Sequence, residues 1–245
     1  MSSAPLLSVE KARKAFGGLV AVNDVDFTVK QSELIGLIGP NGSGKTTMMN
    51  LISGALKPTS GTIRLAGEAI SGMPAHKISQ RGVARTFQLV RILPSLSAVE
   101  NVIAGAVFGH VRAWGDDAYR EAEVLLERVG LGGRGNAPTG SMTYIDQKRL
   151  ELARALAAEP RLLLLDEWLA GLNPTELAEG IALIRALTGS GITIVMVEHI
   201  MEAVRALCPR VLVMNSGKLI ADGETGTVLA DPQVIAAYLG EVSDA

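Results

Sequence analysis

The segment Gly39-Pro40-Asn41-Gly42-Ser43-Gly44-Lys45-Thr46-Thr47 fills the pattern G-x-x-x-x-G-K-[ST] at every defined position. That pattern is chemistry for holding a polyphosphate. Gly39, Gly42 and Gly44 let the backbone come close, and the N–H groups from Asn41 and Ser43 to Thr47 converge on the β-phosphate. Lys45 supplies a point charge to the β and γ oxygens, and the Thr46 hydroxyl can ligate Mg²⁺. A second chemical segment, Leu162-Leu163-Leu164-Leu165-Asp166-Glu167, is an aliphatic strand ending in two carboxylates. Phosphate-loop ATPases use such a pair to hold the metal, here through Asp166, and to polarise the attacking water, here through Glu167 as general base. His199 ends a later apolar run and is placed to donate a hydrogen bond to a γ-phosphate or to that water.

These residues need elements that bring them together. Glu33 to Ile38 reads as a short buried strand and Thr46 to Ile52 as a helix, so the glycines sit at a strand-to-helix turn. Before them, Leu7 to Lys11 and Val20 to Val29 alternate polar with apolar and predict antiparallel strands about a Gly17-Gly18 turn. After them come a turn at Pro58 to Gly61 and strands at Thr62 to Leu65 and Gly82 to Gln88. From about 89 to 159 helical spacing takes over, as in Tyr119 to Val129, where Ala122, Leu125, Leu126 and Val129 share a face. A buried strand at Arg161 to Leu165, a helix from Pro174 to about Thr188 and a strand at Ile192 to Val197 follow. The expected fold class is α/β: a P-loop ATPase core formed by residues 1–88 and 160–245, with an N-terminal antiparallel β subdomain and an inserted helical subdomain at 89–159.

Composition agrees with an aliphatic α/β interior: of 245 residues, 48% are hydrophobic and only 4% aromatic. A net charge of −2 offers no global basic field and argues against nucleic acid as a partner. The single Cys208 suits a reducing compartment and is expected in the core. No charged-then-apolar leader and no apolar run of the roughly 18 residues that span a bilayer is present, so a cytoplasmic location is expected, with any membrane role through a partner. His76 and His110 lack the context of His199 and are expected at the surface.

The order of Phe16, Gly39 to Thr47, Gln88, a signature segment before a helix at 141–157, Leu162 to Glu167, Gly171-Leu172-Asn173-Pro174 and His199 resembles the nucleotide-binding subunit of an ABC transporter over nearly the whole chain. Within that family the segments Phe16 to Val25, Arg85 to Gln88, Ala170 to Glu176 and Asp231 to Gly240 are similar to one of the two ATPase subunits of branched-chain amino-acid importers. A lipopolysaccharide-export ATPase is a weaker match. The resemblance implies ATP and Mg²⁺ as cofactors, with Phe16 stacked on adenine and Gln88 touching the metal and sensing the membrane partner. It implies Glu167, His199 and Gln88 as the catalytic set, and Thr46, Gln88 and Asp166 around the metal. It also implies a head-to-tail pair, with an identical or a paralogous subunit, in which Thr143 of the signature faces the opposite ATP. The implied partners are membrane permease subunits at the inner face of the cell membrane, with no direct contact to the transported compound.

Two departures stand out. The signature falls on Met142-Thr143-Tyr144-Ile145-Asp146, so Ile145 replaces the family's second glycine, where a β-branched side chain opposes close backbone approach, and Asp146 either adds a charge near phosphate or points away. Trp168 stands where the family has proline, which would alter the pose of Glu167 or cover the site. A regulatory subunit with a degenerate signature, paired with a competent ATPase, is the alternative reading. A soluble ABC ATPase acting on nucleic acid or ribosomes is a third, against which the single cassette and the lack of basic extensions count.

Overall fold

Alternating side chains start the chain: β1 (Leu7–Phe16) and β2 (Leu19–Val29) pair antiparallel about Gly17-Gly18, with Val9, Ala12, Val22, Val25 and Phe27 turned inward. The computed structural model describes residues 4–109 and 114–239. Next, β3 (Leu34–Ile38), buried throughout, runs into the phosphate loop and α1 (Lys45–Ile52). β4 (Ser60–Leu65) and β5 (Glu68–Ala69) complete a four-stranded antiparallel sheet in the order β2-β1-β4-β5. A short α2 (Ala75–Ser79) and β6 (Val83–Arg85) lead to three helices packed on one another, α3 (Ala98–Phe108), α4 (Gly115–Arg128) and α5 (Tyr144–Leu156). The chain then alternates through β7 (Leu162–Asp166), α6 (Pro174–Gly189), β8 (Thr193–Val197), α7 (Met201–Leu207) and β9 (Arg210–Asn215). It closes with β10 (Lys218–Glu224), α8 (Thr225–Leu229) and α9 (Pro232–Leu239).

The second sheet has the order β10-β9-β3-β8-β7-β6, parallel except for β10 at its edge. Parallel strands are covered on both faces, and the period of two shows how. Ile35, Leu37, Leu162, Leu164, Val195 and Val197 face the first sheet and α1, while their neighbours Leu34, Ile38, Leu163, Leu165, Ile194 and Met196 face the helices. Because β3, β6, β7 and β8 run the same way, their C-terminal ends share one edge. The segments beginning at Gly39, Thr86, Glu167 and Glu198 all leave the sheet there, where open α/β sheets bind ligands.

Some boundaries differ from expectation. The first strand continues past Lys11 to Phe16, and the run from Gly82 to Gln88 pairs only at Val83–Arg85, because the chain then turns away as a loop. The structure adds a β9–β10 hairpin to the expected elements, about Asn215-Ser216-Gly217-Lys218, a hairpin signal between apolar runs; Ser216 and Gly217 take φ of 48° and 78°. His76 is exposed as expected, and His110 lies outside the described residues. Cys208 is buried with its sulfur against Gly36. Among the described residues no helix is long and apolar enough to cross a membrane.

One contact fixes the helices at 98–156. A Cβ on Gly105 of α3 would stand 2.1 Å from the Arg154 carbonyl oxygen of α5, so the two backbones touch. Gly105→Ala should therefore cost about 1–3 kcal/mol of stability, read as a lower urea midpoint; an unchanged midpoint would mean that the contact yields freely.

Candidate nucleotide and catalytic site

The phosphate loop is wedged between β2 and the β9–β10 hairpin. A Cβ on Gly39 would meet the Met214 oxygen at 2.0 Å and one on Gly44 the Ala21 oxygen at 2.4 Å, and both glycines have positive φ, 144° and 105°. Gly42, at φ 70°, has open space around its missing side chain and lies with Asn41 on the exposed side of the loop. Gly217 donates its N–H to the Ser43 carbonyl at 2.9 Å, and Lys45 Nζ closes the loop by donating to the carbonyls of Gly39 (2.7 Å) and Pro40 (2.8 Å). No side chain caps α1 at Gly44, so the donor end of the helix faces the loop with Thr46 exposed and Thr47 half-buried beside it. Ser43 Oγ is buried without a hydrogen-bond partner among the described residues. An orphan hydroxyl, a helix N-terminus and a lysine in one glycine cradle fit a polyphosphate.

Three of the sequence-predicted residues meet at one oxygen. Gln88 Nε2 donates to Glu167 Oε2 at 2.7 Å, and His199 Nδ1 lies 3.8 Å from the same atom. His199 is 60% exposed and so open to a ligand. Asp166, at the end of β7, is buried behind them. Its Oδ2 accepts from Arg85 Nη2 at 2.6 Å, and Arg85 Nη1 donates to Asn50 Oδ1 (2.6 Å) and Ser53 Oγ (3.2 Å). Arg85 thus ties the end of α1 to the carboxylate of β7. Sequence reasoning gave it no role; the available signal was a cation inside an apolar strand, which demands a buried anion. Phe16 ends β1 with its ring exposed and Lys14 Nζ 5.0 Å from its centroid.

Asp146 of the signature segment and Trp168 after Glu167 each decide between two readings. Thr143 caps α5, its hydroxyl accepting the Asp146 N–H at 3.3 Å, with Tyr144 and Ile145 in the first turn. Asp146 does not present a charge to phosphate: it is buried and bound by Arg134 Nη1 at 2.8 Å. Burial works against its ionisation, but the hydrogen bonds from Arg134 and Thr143 and the nearby guanidinium charges hold its carboxyl below the usual range. Nor does Trp168 cover the site. It is 1% exposed, points into the core and donates Nε1 to the Lys148 carbonyl at 3.1 Å.

Next to His199, Glu198 is buried with Oε1 accepting the Leu169 N–H at 2.8 Å. Desolvation pushes its carboxyl up to about 7, with Glu167 adding to the rise and the Leu169 hydrogen bond and Lys148 opposing it.

The family description "ABC transporter" matches residues 22–170, and "branched-chain amino acid ATP-binding cassette transporter" matches residues 218–244. The chain is 41% identical over 254 residues to the high-affinity branched-chain amino acid transport ATP-binding protein BraF of Pseudomonas aeruginosa, covering 98% of this chain and 99% of that protein. With LivG of Escherichia coli, described in the same words, it shares 40% over 253 residues at the same coverage. Its fold is similar to MJ1267, an ATP-binding cassette of an ABC transporter in its ADP conformation, with a TM-score of 0.89 at 28% identity, covering 97% of this chain and 100% of that one. A nucleotide-free cassette from an ABC transporter gives 0.88 at 27% identity, covering 96% and 99%.

The raised Glu198 has a consequence for stability. Between about pH 4.5 and 7 the folded chain holds a proton that the unfolded chain has lost, so this group's effect is to lower stability as pH rises through that window. Glu198→Gln, whose carbonyl still accepts from Leu169, should gain on the parent by roughly 1–3 kcal/mol between pH 5 and pH 8 in chemical unfolding. A constant difference across that range would show that Glu198 titrates normally.

Proposed function

The chain belongs to the ABC transporter family, and on that premise we propose that it is the ATP-hydrolysing subunit of an importer of branched-chain or similar amino acids. The observation that carries the reading is the meeting of Gln88, Glu167 and His199 on the sheet edge that also bears the phosphate loop. In this reading Phe16 stacks on adenine, and Gly39, Asn41, Gly42, Ser43, Gly44, Lys45, Thr46 and Thr47 hold the phosphates. Glu167 takes the proton of the attacking water as general base, while Gln88 and His199 orient that water and the γ-phosphate. Thr46, Asp166 and Gln88 offer the all-oxygen donor set that Mg²⁺ takes, and the metal would neutralise charge building on the β and γ oxygens. Two such chains, or this one and a paralogue, close head to tail so that Thr143 faces the opposite nucleotide. Names of full-length relatives support the importer over a lipopolysaccharide exporter or a regulatory subunit.

The core is assigned to residues 1–88 and 160–245, and 89–159 form the helical subdomain that docks the permease. Support comes from a groove of about 470 Å³ beside the Gln88 loop, lined by Ser53, Phe87, Leu93, Ala104, Phe108 and Arg154. Phe108 is 74% exposed, and Leu89, next to Gln88, is 80% exposed. Large apolar side chains so placed mark a docking surface for an amphipathic helix. The chain would thus work at the inner face of the cell membrane without touching the transported compound.

Lys45→Ala should abolish ATP binding, whereas Glu167→Gln should keep binding and lower turnover by about 10²-fold or more, measured as nucleotide affinity and ATPase rate on each variant. Hydrolysis by Glu167→Gln at the parental rate would remove Glu167 as the base. For docking, Phe108→Asp should leave ATP affinity intact and cut recovery with permease-containing membranes by about tenfold. Undiminished recovery would place the contact elsewhere.

A further inference from the structure

Helix α5 carries two buried charges one turn apart, each bound to the backbone of a different catalytic loop. Lys148 Nζ donates to the carbonyls of Glu167 (3.3 Å), Trp168 (2.8 Å) and Ala170 (2.9 Å), and Trp168 Nε1 returns a bond to the Lys148 carbonyl. Glu151, 1% exposed, accepts the backbone N–H groups of Arg91 at 2.9 Å and Phe87 at 3.4 Å, the residues that bracket the start and end of the loop carrying Gln88. The same loop is stiffened by the Phe87 ring, which lies 5.1 Å from the guanidinium of Arg85 and 4.1 Å from that of Arg91. The Gln88–Glu167 bond then closes a ring: α5 to the Glu167 loop, Glu167 to Gln88, and the Gln88 loop back to α5.

Core packing alone does not call for a lysine and a glutamate here. Burying either charge costs several kcal/mol before its hydrogen bonds are counted, and apolar residues of similar volume fill space at no such cost. What ionic side chains add is direction, since each backbone partner must sit at a fixed place on the helix. We propose that Lys148 and Glu151 are positioning residues that hold the Glu167 and Gln88 loops to one rigid helix, so that a displacement of Thr143 at its N-terminus moves both catalytic groups together. The proposal rests on the ATPase reading above and deepens it, because it gives the contact with the opposite nucleotide a mechanical route to this chain's own site.

The test is a double-mutant cycle on the full chain, with kcat and KM for ATP and the affinity for a fluorescent ATP analogue measured on every variant. Glu151→Gln keeps the size but leaves one of the two backbone N–H groups without an acceptor. It should lower kcat about tenfold while KM and nucleotide affinity stay within about twofold, because the phosphate loop is not part of the ring. In a Gln88→Ala background the same change should cost less than about twofold, since Glu151 acts through Gln88. Glu151→Asp, which retains the charge but withdraws the carboxylate by one methylene, should behave like Glu151→Gln. Lys148→Met should lower kcat likewise with affinity retained. The proposal is overturned by equal losses with and without Gln88, by unchanged kcat in any of the three variants, or by affinity falling in step with kcat. It is also overturned if neither Glu151 variant folds, because Glu151 would then be a folding element. A parent chain that does not hydrolyse ATP, or does so without Glu167, would instead sink the ATPase reading. A parent active through Glu167 with additive Glu151 and Gln88 effects sinks only the positioning role.

Discussion

The backbone conformation of Glu167 is the constraint around which the site is arranged. The residue leaves β7 with φ of 49°, in the left-handed region that costs a non-glycine residue about 1–3 kcal/mol. Its surroundings leave it no other choice. The Glu167 N–H is held by the Val197 carbonyl at 2.9 Å, the Ala170 N–H turns back to the Glu167 carbonyl at 3.1 Å, and Leu169 is held by Glu198. Lys148 takes the carbonyls on the other side. The chain thereby turns sharply as it leaves the sheet, and the Glu167 carboxylate stands out beside Gln88 and His199 instead of following Asp166 into the interior. Trp168, the next residue, holds that exit by burial and one indole hydrogen bond.

Behind that turn lies a polar layer inside an otherwise aliphatic core. The side chains of Arg85 with Asp166, Lys148 with the loop carbonyls, Glu151 with the Gln88 loop and Glu198 with Leu169 are all buried, and each is bonded to backbone or to an opposite charge. Placed here, such groups specify orientation more than they add stability. The apolar residues decide that the sheet forms. The buried ionic residues decide where its loops point.

Local features were readable from the chain. The phosphate loop needs only consecutive residues, and the apolar runs before Gly39, Asp166 and His199 announce buried strands, which the parallel sheet then aligns. Distant convergence was readable only through the order of segments, as for Gln88, whose amide meets Glu167 across the sheet edge. Orientation was not readable. A charge of Asp146 near phosphate and a Trp168 covering the site were each one of two open readings, and both side chains turn inward, because Arg134 and the carbonyl of Lys148 offer partners that no local spacing reveals. For the same reason no local spacing marks Lys148 and Glu151, which are both buried on α5. The β9–β10 hairpin differs in kind, since its turn residues Asn215-Ser216-Gly217-Lys218 are a local signal.

Cys208 carries a last consequence, of a practical kind. It is the only thiol in the chain, it lies against Gly36 under the sheet, and burial pushes it up to about 12. With the thiolate form suppressed and the sulfur out of reach, alkylating and disulfide reagents have no native target in the folded molecule. A cysteine introduced at a surface position would therefore be the single reactive one. Spectroscopic probes can be attached at chosen surface positions on this background without first removing the native residue.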